Sequence, residues 1–239
     1  MKRTSESLRP WAALISRTVF FAAVQGFIAL ILWLTGNHRA WAESARWWMY
    51  CAAAANVLSI LLLVRFFRSE GSRYRDILRF DRSTVWKDIG LSVLTLLVAA
   101  PVAMIPMQVI GTTLFGSYDV VADMMFQPLP LWAIGLGLLF PVTIAFAELP
   151  TYFAYVMPRL ERTMGWVAAW LTASFFLGLQ HATLPLIFDW RFVVWRATMF
   201  LPFALLLGIV IRRRPALLPY LMIGHFLIDV STVAVYLIP

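Results

Sequence analysis

Long apolar runs divided by short polar stretches set the rhythm of this chain. A helix that crosses a bilayer needs about 20 mostly apolar residues. Seven runs approach that length: Thr18–Leu34, Trp47–Val64, Ile89–Leu114, Leu131–Met157, Trp166–Leu186, Phe192–Ile211 and Leu217–Leu237. None alternates with the period of a strand, so the pattern predicts an all-α bundle of about seven transmembrane helices. Pro141 and Pro150 predict kinks in the fourth run, because proline lacks the N–H that a helix interior uses. The sixth run has only fifteen uncharged residues between Arg196 and Arg212, so Arg196 is expected to snorkel toward the membrane surface. In the long polar stretch Arg65–Lys87, Ile77, Leu78, Phe80 and Val85 are interleaved with Arg79, Arg82 and Lys87. That mixture predicts a short amphipathic helix lying against membrane lipids.

Composition agrees with this reading. Hydrophobic residues make up 62% of the 239 and charged residues 13%, against about 45–50% and 25% in a soluble domain. A soluble globular protein, a disordered chain and a collagen-like repeat are excluded. The net charge of +8 does not signal nucleic acid, because the basic residues sit at the ends of the apolar runs. There they act as topology signals. With the N-terminus inside, 16 of the 20 Lys and Arg fall on the inner side, Arg17 among them, and seven crossings put the C-terminus outside. The charged leader Met1–Arg17 is long and is followed by no small-residue cleavage site, so the first run reads as a retained anchor. The single cysteine, Cys51, permits no internal disulfide and reads as a small core residue.

Candidate chemistry comes from the few ionisable groups left inside the runs: Glu148, His181, His225 and Asp229. Even on the lenient insertion scale a carboxylate at the bilayer centre costs about 2.5–3.5 kcal/mol. Four such groups on three predicted helices, with no Lys or Arg among them, are expected to converge on one polar site. His225 and Asp229 are four residues apart and share a helical face. Counted from the inner ends of their runs, Glu148 and His225 lie at similar depth, roughly 16 and 15 Å, while His181 lies at roughly 25 Å. Alternatives are a polar cluster that only locks helices together and a proton or ion path. Intramembrane hydrogen bonds contribute only about 0.6 kcal/mol on average, and an ion path would spread charge through the membrane depth.

The residues around these groups carry a family resemblance. Glu148-Leu-Pro-Thr-Tyr-Phe-Ala-Tyr-Val-Met-Pro-Arg-Leu160 resembles the first motif of the CAAX protease and bacteriocin-processing family of intramembrane endopeptidases, Glu-Glu-x-x-x-Arg followed by a Pro-Arg-Leu tail. Leu177-Gly-Leu-Gln-His181 resembles its Phe-x-x-x-His motif, and His225-Phe-Leu-Ile-Asp229 its His-x-x-x-Asn motif. The resemblance covers about 132–235 and divides the chain into an N-terminal three-span region, 1–115, and a core, 116–239. It implies that Glu148 is a general base with His181 as its partner, and that His225 and Asp229 stabilise the oxyanion. It also implies a peptide or lipidated-protein substrate and, with the topology, a bacterial inner membrane. The sequence departs from the pattern at Leu149, Phe153, Leu177 and Asp229, where the family has Glu, Arg, Phe and Asn. Those departures keep open a catalytically altered member acting as a non-enzymatic binding or bacteriocin-immunity protein. No cofactor is expected; the alternative is zinc held by Glu148, His181, His225 and Asp229, an oxygen and nitrogen donor set that Zn²⁺ accepts.

Overall fold

The computed structural model describes residues 2–237, the side chains of 2–7 (Lys2, Arg3 and Glu6 among them) lying outside the described set. The described chain is all helical, with no strand. Among the described residues six helices, some kinked, are long and apolar enough to cross a membrane, one fewer than the seven predicted because the Trp166–Leu186 run falls short: Leu8–Leu34, Trp48–Ser69, Val85–Phe115, Leu131–Met164, Trp190–Arg213 and Pro215–Leu237. Large apolar side chains such as Phe27, Leu97, Ile105 and Leu227 are exposed along them, as a lipid-facing coat requires.

In chain order, α1 covers Lys2–Leu34, α2 Ala40–Arg46, α3 Trp48–Ser69 and α4 Val85–Phe115. Three short helices follow: α5 (Tyr118–Met125), α6 (Leu131–Leu136) and α7 (Leu139–Leu149). A π-helical segment, Pro150–Val156, then leads into α8 (Met157–Met164). The rest comprises α9 (Trp166–Gln180), α10 (Trp190–Met199), α11 (Leu201–Arg213) and α12 (Leu218–Ala234). The sixth predicted run thus bends at Phe200, and the fifth is a 15-residue helix that ends at His181. The predicted amphipathic helix between Arg65 and Lys87 is instead one five-residue 3-10 turn, Tyr74–Leu78. The preceding helix runs on to Ser69, and α4 starts at Val85, so little chain is left for it.

The π-helical segment follows from Pro150. Its missing N–H would have bonded Phe146 O, which instead accepts from the Tyr74 hydroxyl at 2.5 Å. One residue later the Thr151 hydroxyl donates back to Ala147 O at 2.6 Å. The polar loop is thereby docked on the kink, immediately beside Glu148.

Two apolar clusters hold the bundle. One gathers Leu149, Tyr152, Phe153 and Leu160 with Ala169, Leu177, Leu207 and Leu218. The other gathers Phe21, Trp48, Met49, Ile144, Phe192 and Met199. Small side chains on α3 (Ala52, Ala55, Asn56, Ser59) are buried and let it pack closely on α1 and α7, the usual way in which membrane helices approach.

Ion pairs collect at the end of the bundle where α1 and α4 begin. Arg214 joins Asp88 at 2.5 Å and Arg212 joins Glu161 at 2.7 Å. Arg159 grips Glu70 through both Nε and a terminal nitrogen, and Tyr155 donates to the same carboxylate at 2.6 Å. Burial pushes the Glu70 carboxyl up, but the hydrogen bonds from Arg159 and Tyr155 and the Arg159 charge outweigh it and hold it below its ordinary value. The linkage sign is then set: the clasp contributes above about pH 4 and is lost as pH falls through the lowered value. Hydrogen exchange around 67–72 is expected to accelerate on acidification in the wild type and to lose that pH dependence in Glu70→Gln.

Candidate active site

Glu148 lies two residues before Pro150, between Ile144 of one apolar cluster and Leu149 of the other. Its side chain is 2% exposed. His225 Nε2 stands 3.5 Å from Glu148 Oε1, and His181 Nε2 stands 3.8 Å from Oε2. His225 Nε2 also lies 3.1 Å from Asp229 Oδ2. That approach is off the hydrogen-bonding line, and Asp229 Oδ2 has no hydrogen-bond partner. All four predicted groups therefore come together.

The depth mismatch expected for His181 has a simple resolution. The chain does not turn at Arg159–Arg162: α8 continues to Met164, and the turn is at Gly165, whose φ of +79° suits glycine. Counted from Gly165, Glu148 lies about seventeen residues before and His181 about sixteen after, or roughly 25 and 24 Å.

His181 is held firmly. Its Nδ1 sits 2.8 Å from Leu177 O, and since a carbonyl only accepts, the hydrogen is on Nδ1; in the neutral ring the Nε2 lone pair then faces Glu148. Its ring packs edge-on against Phe200 at 4.8 Å. Its own carbonyl accepts from Arg196 Nε at 3.1 Å, and another Arg196 nitrogen donates to Leu184 O. Arg196 therefore caps the C-terminal end of α9 from inside the bundle, 4% exposed, and does not snorkel outward. The unpaired carbonyls of a helix end are a favourable place for a buried cation.

A second arginine also lies inside the bundle. Arg17, expected at the inner membrane edge, is fully buried, its terminal nitrogen 3.8 Å from Glu148 Oε2. The cause is that α1 begins at Lys2 and runs straight through, so Arg17 lies mid-helix. Its Nε donates to Gln180 Oε1 at 2.5 Å, and Gln180 Nε2 donates to Glu148 Oε2 at 2.6 Å. Arg17, Phe21 and Gln25 are spaced by four and share one buried face of α1. Gln25 clamps the backbone of Leu186, donating to its carbonyl at 2.9 Å and accepting from its N–H at 2.7 Å. The first helix thus braces the site at both Glu148 and the segment after His181. Phe153, where the family pattern has its arginine, is in the apolar core, its ring against Gly208; the guanidinium beside Glu148 comes from α1.

Glu148, His181, His225 and Asp229 line a cavity of about 380 Å³ whose other walls include Met107, Phe140, Trp195, Met199 and Phe203, within the size range of small-ligand sites. Ala99 and Ala103 of α4 leave room in its wall. Ala100, Met104, Ile228 and Ser231 also line it and are exposed on the outer face of the bundle, so the cavity opens sideways between α4 and α12. The donor types suit zinc, yet among the described residues no group of three or more His, Cys, Asp or Glu is arranged to hold a metal ion. No family model matches the chain, and no curated protein or solved structure does so either.

Proposed function

We propose that this protein is an intramembrane endopeptidase that hydrolyses a peptide bond in a membrane-associated peptide or lipidated protein. The observation that carries the proposal is a buried carboxylate, Glu148, between two imidazoles 3.5 and 3.8 Å away, on the wall of an apolar cavity that opens toward the lipid. It is of the type that the three sequence motifs resemble. Glu148 accepts a proton from water as the water oxygen attacks the scissile carbonyl carbon. The carbonyl electron pair moves to oxygen, facing His225 and Asp229. Collapse breaks the C–N bond, and the proton held by Glu148 passes to the leaving nitrogen. Hydrogen-bond donors aimed at the oxyanion in a dry site contribute about 2.7–4 kcal/mol each. Asp229 supplies one only when protonated. We place the protein in a bacterial inner membrane, with the basic, ion-paired end inside; α9, shorter than the six long apolar helices, still carries the chain from that end back toward the start of α10, so a seventh passage leaves the C-terminus outside.

Asp229→Asn tests the chemistry, with new peptide termini in membranes of producing cells as the readout. An amide donates at every pH, so the substitution is expected to preserve or raise cleavage and to extend it to higher pH. Loss of cleavage together with loss of stoichiometric zinc from the purified protein would replace this mechanism by a metal-dependent one. A wild-type protein that generates no new termini in any membrane fraction would leave a binding protein as the reading.

A further inference from the structure

The two oxygens of Glu148 have different surroundings. Oε2 receives the Gln180 amide at 2.6 Å and faces the Arg17 guanidinium at 3.8 Å. Oε1 faces His225 Nε2 at 3.5 Å. Side-chain amides are usually ambiguous, since oxygen and nitrogen are hard to tell apart. Here the neighbours decide. A guanidinium has donors and no acceptor, so the Gln180 atom 2.5 Å from Arg17 Nε must be oxygen. The Tyr152 hydroxyl donates to that same oxygen at 3.2 Å. The amide NH₂ is then obliged to point at Glu148 Oε2, and a proton on Oε2 would set two hydrogens against each other.

We propose that Arg17 and Gln180 are positioning residues that reserve Glu148 Oε2 as a hydrogen-bond acceptor and leave Oε1, on the His225 side, as the oxygen that takes the proton. The groups facing Glu148 are Arg17 from α1, Tyr152 from the π-helical segment, Gln180 and His181 from α9, Arg196 from α10, and His225 and Asp229 from α12. Of these His225 stands 3.5 Å from Oε1, with Asp229 behind it at 3.1 Å from the same ring nitrogen. The arrangement makes His225, and not His181, the imidazole that shares the Glu148 proton, the reverse of the pairing implied by the motif resemblance. Its use in catalysis rests on the proposed endopeptidase reading; the hydrogen-bond logic does not.

Dicyclohexylcarbodiimide provides the test, because it adds to protonated carboxyls in apolar sites. The full chain in detergent micelles at pH 7 is treated, and modification of the Glu148 peptide is read by mass spectrometry. Wild-type Glu148 is expected to resist. Arg17→Gln lets the amide turn over, and Gln180→Leu removes the donor, so each should raise modification by about tenfold or more. Arg17→Lys retains a donor-only cation and should stay within about threefold of wild type. Gln180→Leu leaves the Arg17 charge in place and serves where Arg17→Gln does not accumulate. Equal modification in wild type and both folded variants overturns the proposal. Imidazole ¹⁵N resonances give the second arm. At a fixed pH of 7 the His225 Nε2 signal should differ between wild type and Glu148→Gln, and a difference confined to His181 overturns the assignment. Neither measurement needs substrate or turnover, so absence of peptidase activity would remove the functional reading and leave this one to be judged alone.

Discussion

Glu148→Asp is expected to lower substrate cleavage by about 10²–10⁴-fold, the usual contribution of a positioned general base, while the protein accumulates normally in the membrane. The shorter side chain keeps the negative charge that faces Arg17, so the buried pair survives. What it loses is reach: withdrawing the carboxylate by one methylene moves the proton-accepting oxygen out of line with the attacking water, and displacements of that size cost around a hundredfold. Glu148→Gln should be at least as inactive but less stable, since it leaves Arg17 buried without its counter-charge. Breaking a buried pair in this way costs about 3–5 kcal/mol. Terminal-labelling mass spectrometry of membranes from cells producing each variant measures cleavage, and thermal unfolding in detergent measures stability. Wild-type cleavage by Glu148→Asp at equal accumulation would remove Glu148 from the reaction.

Gly178→Val carries the largest expected loss of stability away from the ionisable groups. A Cβ at this position would lie 2.8 Å from the Ala197 carbonyl oxygen and 3.7 Å from Leu201 Cα. Both are backbone atoms near the bend between α10 and α11, so neither can swing aside as a side chain would. Overpacking of this kind costs about 1–3 kcal/mol for small additions; Gly178→Ala should show that range and Val more. His181 follows three residues later, so cleavage should fall together with the melting temperature. Gly26 is the control, with nothing within 4 Å of its added Cβ. Gly26→Ala should be neutral or stabilise by about 0.5–1 kcal/mol, the helix-interior difference between the two residues. A Gly178→Val protein that melts with the wild type would contradict the close approach of α9 to this bend.

The apolar rhythm was sufficient for the helices because lipid demands it over every crossing. It was poor at their ends: α1 extends well before Thr18, and α9 stops at His181. Glu148, His181, His225 and Asp229 were legible because desolvation makes isolated ionisable groups costly wherever they fall in an apolar run. Arg17 and Arg196 escaped the same reasoning because a basic residue near the edge of a run has an innocent explanation at the membrane surface. The spacing of Arg17 and Gln25 was the available signal: eight residues apart, they put two polar groups on one face of an otherwise apolar helix. Gln180 escaped because only ionisable groups were counted, although a neutral amide beside a buried carboxylate meets the same need for partners. The motif spacing carried no information about Gly165, where the turn sets the relative depth of Glu148 and His181.

The burial of Arg17 has a consequence for biogenesis. During synthesis this guanidinium enters the translocon long before Glu148 and Gln180 have left the ribosome. A lone arginine at a helix centre opposes insertion by about 2.5–3.5 kcal/mol. Until the strip around Leu139–Leu149 arrives, the first helix holds that group without its counter-charge, and the apolar run Thr18–Leu34 has to offset the cost. Folding of the earliest segment is completed by one of the later ones.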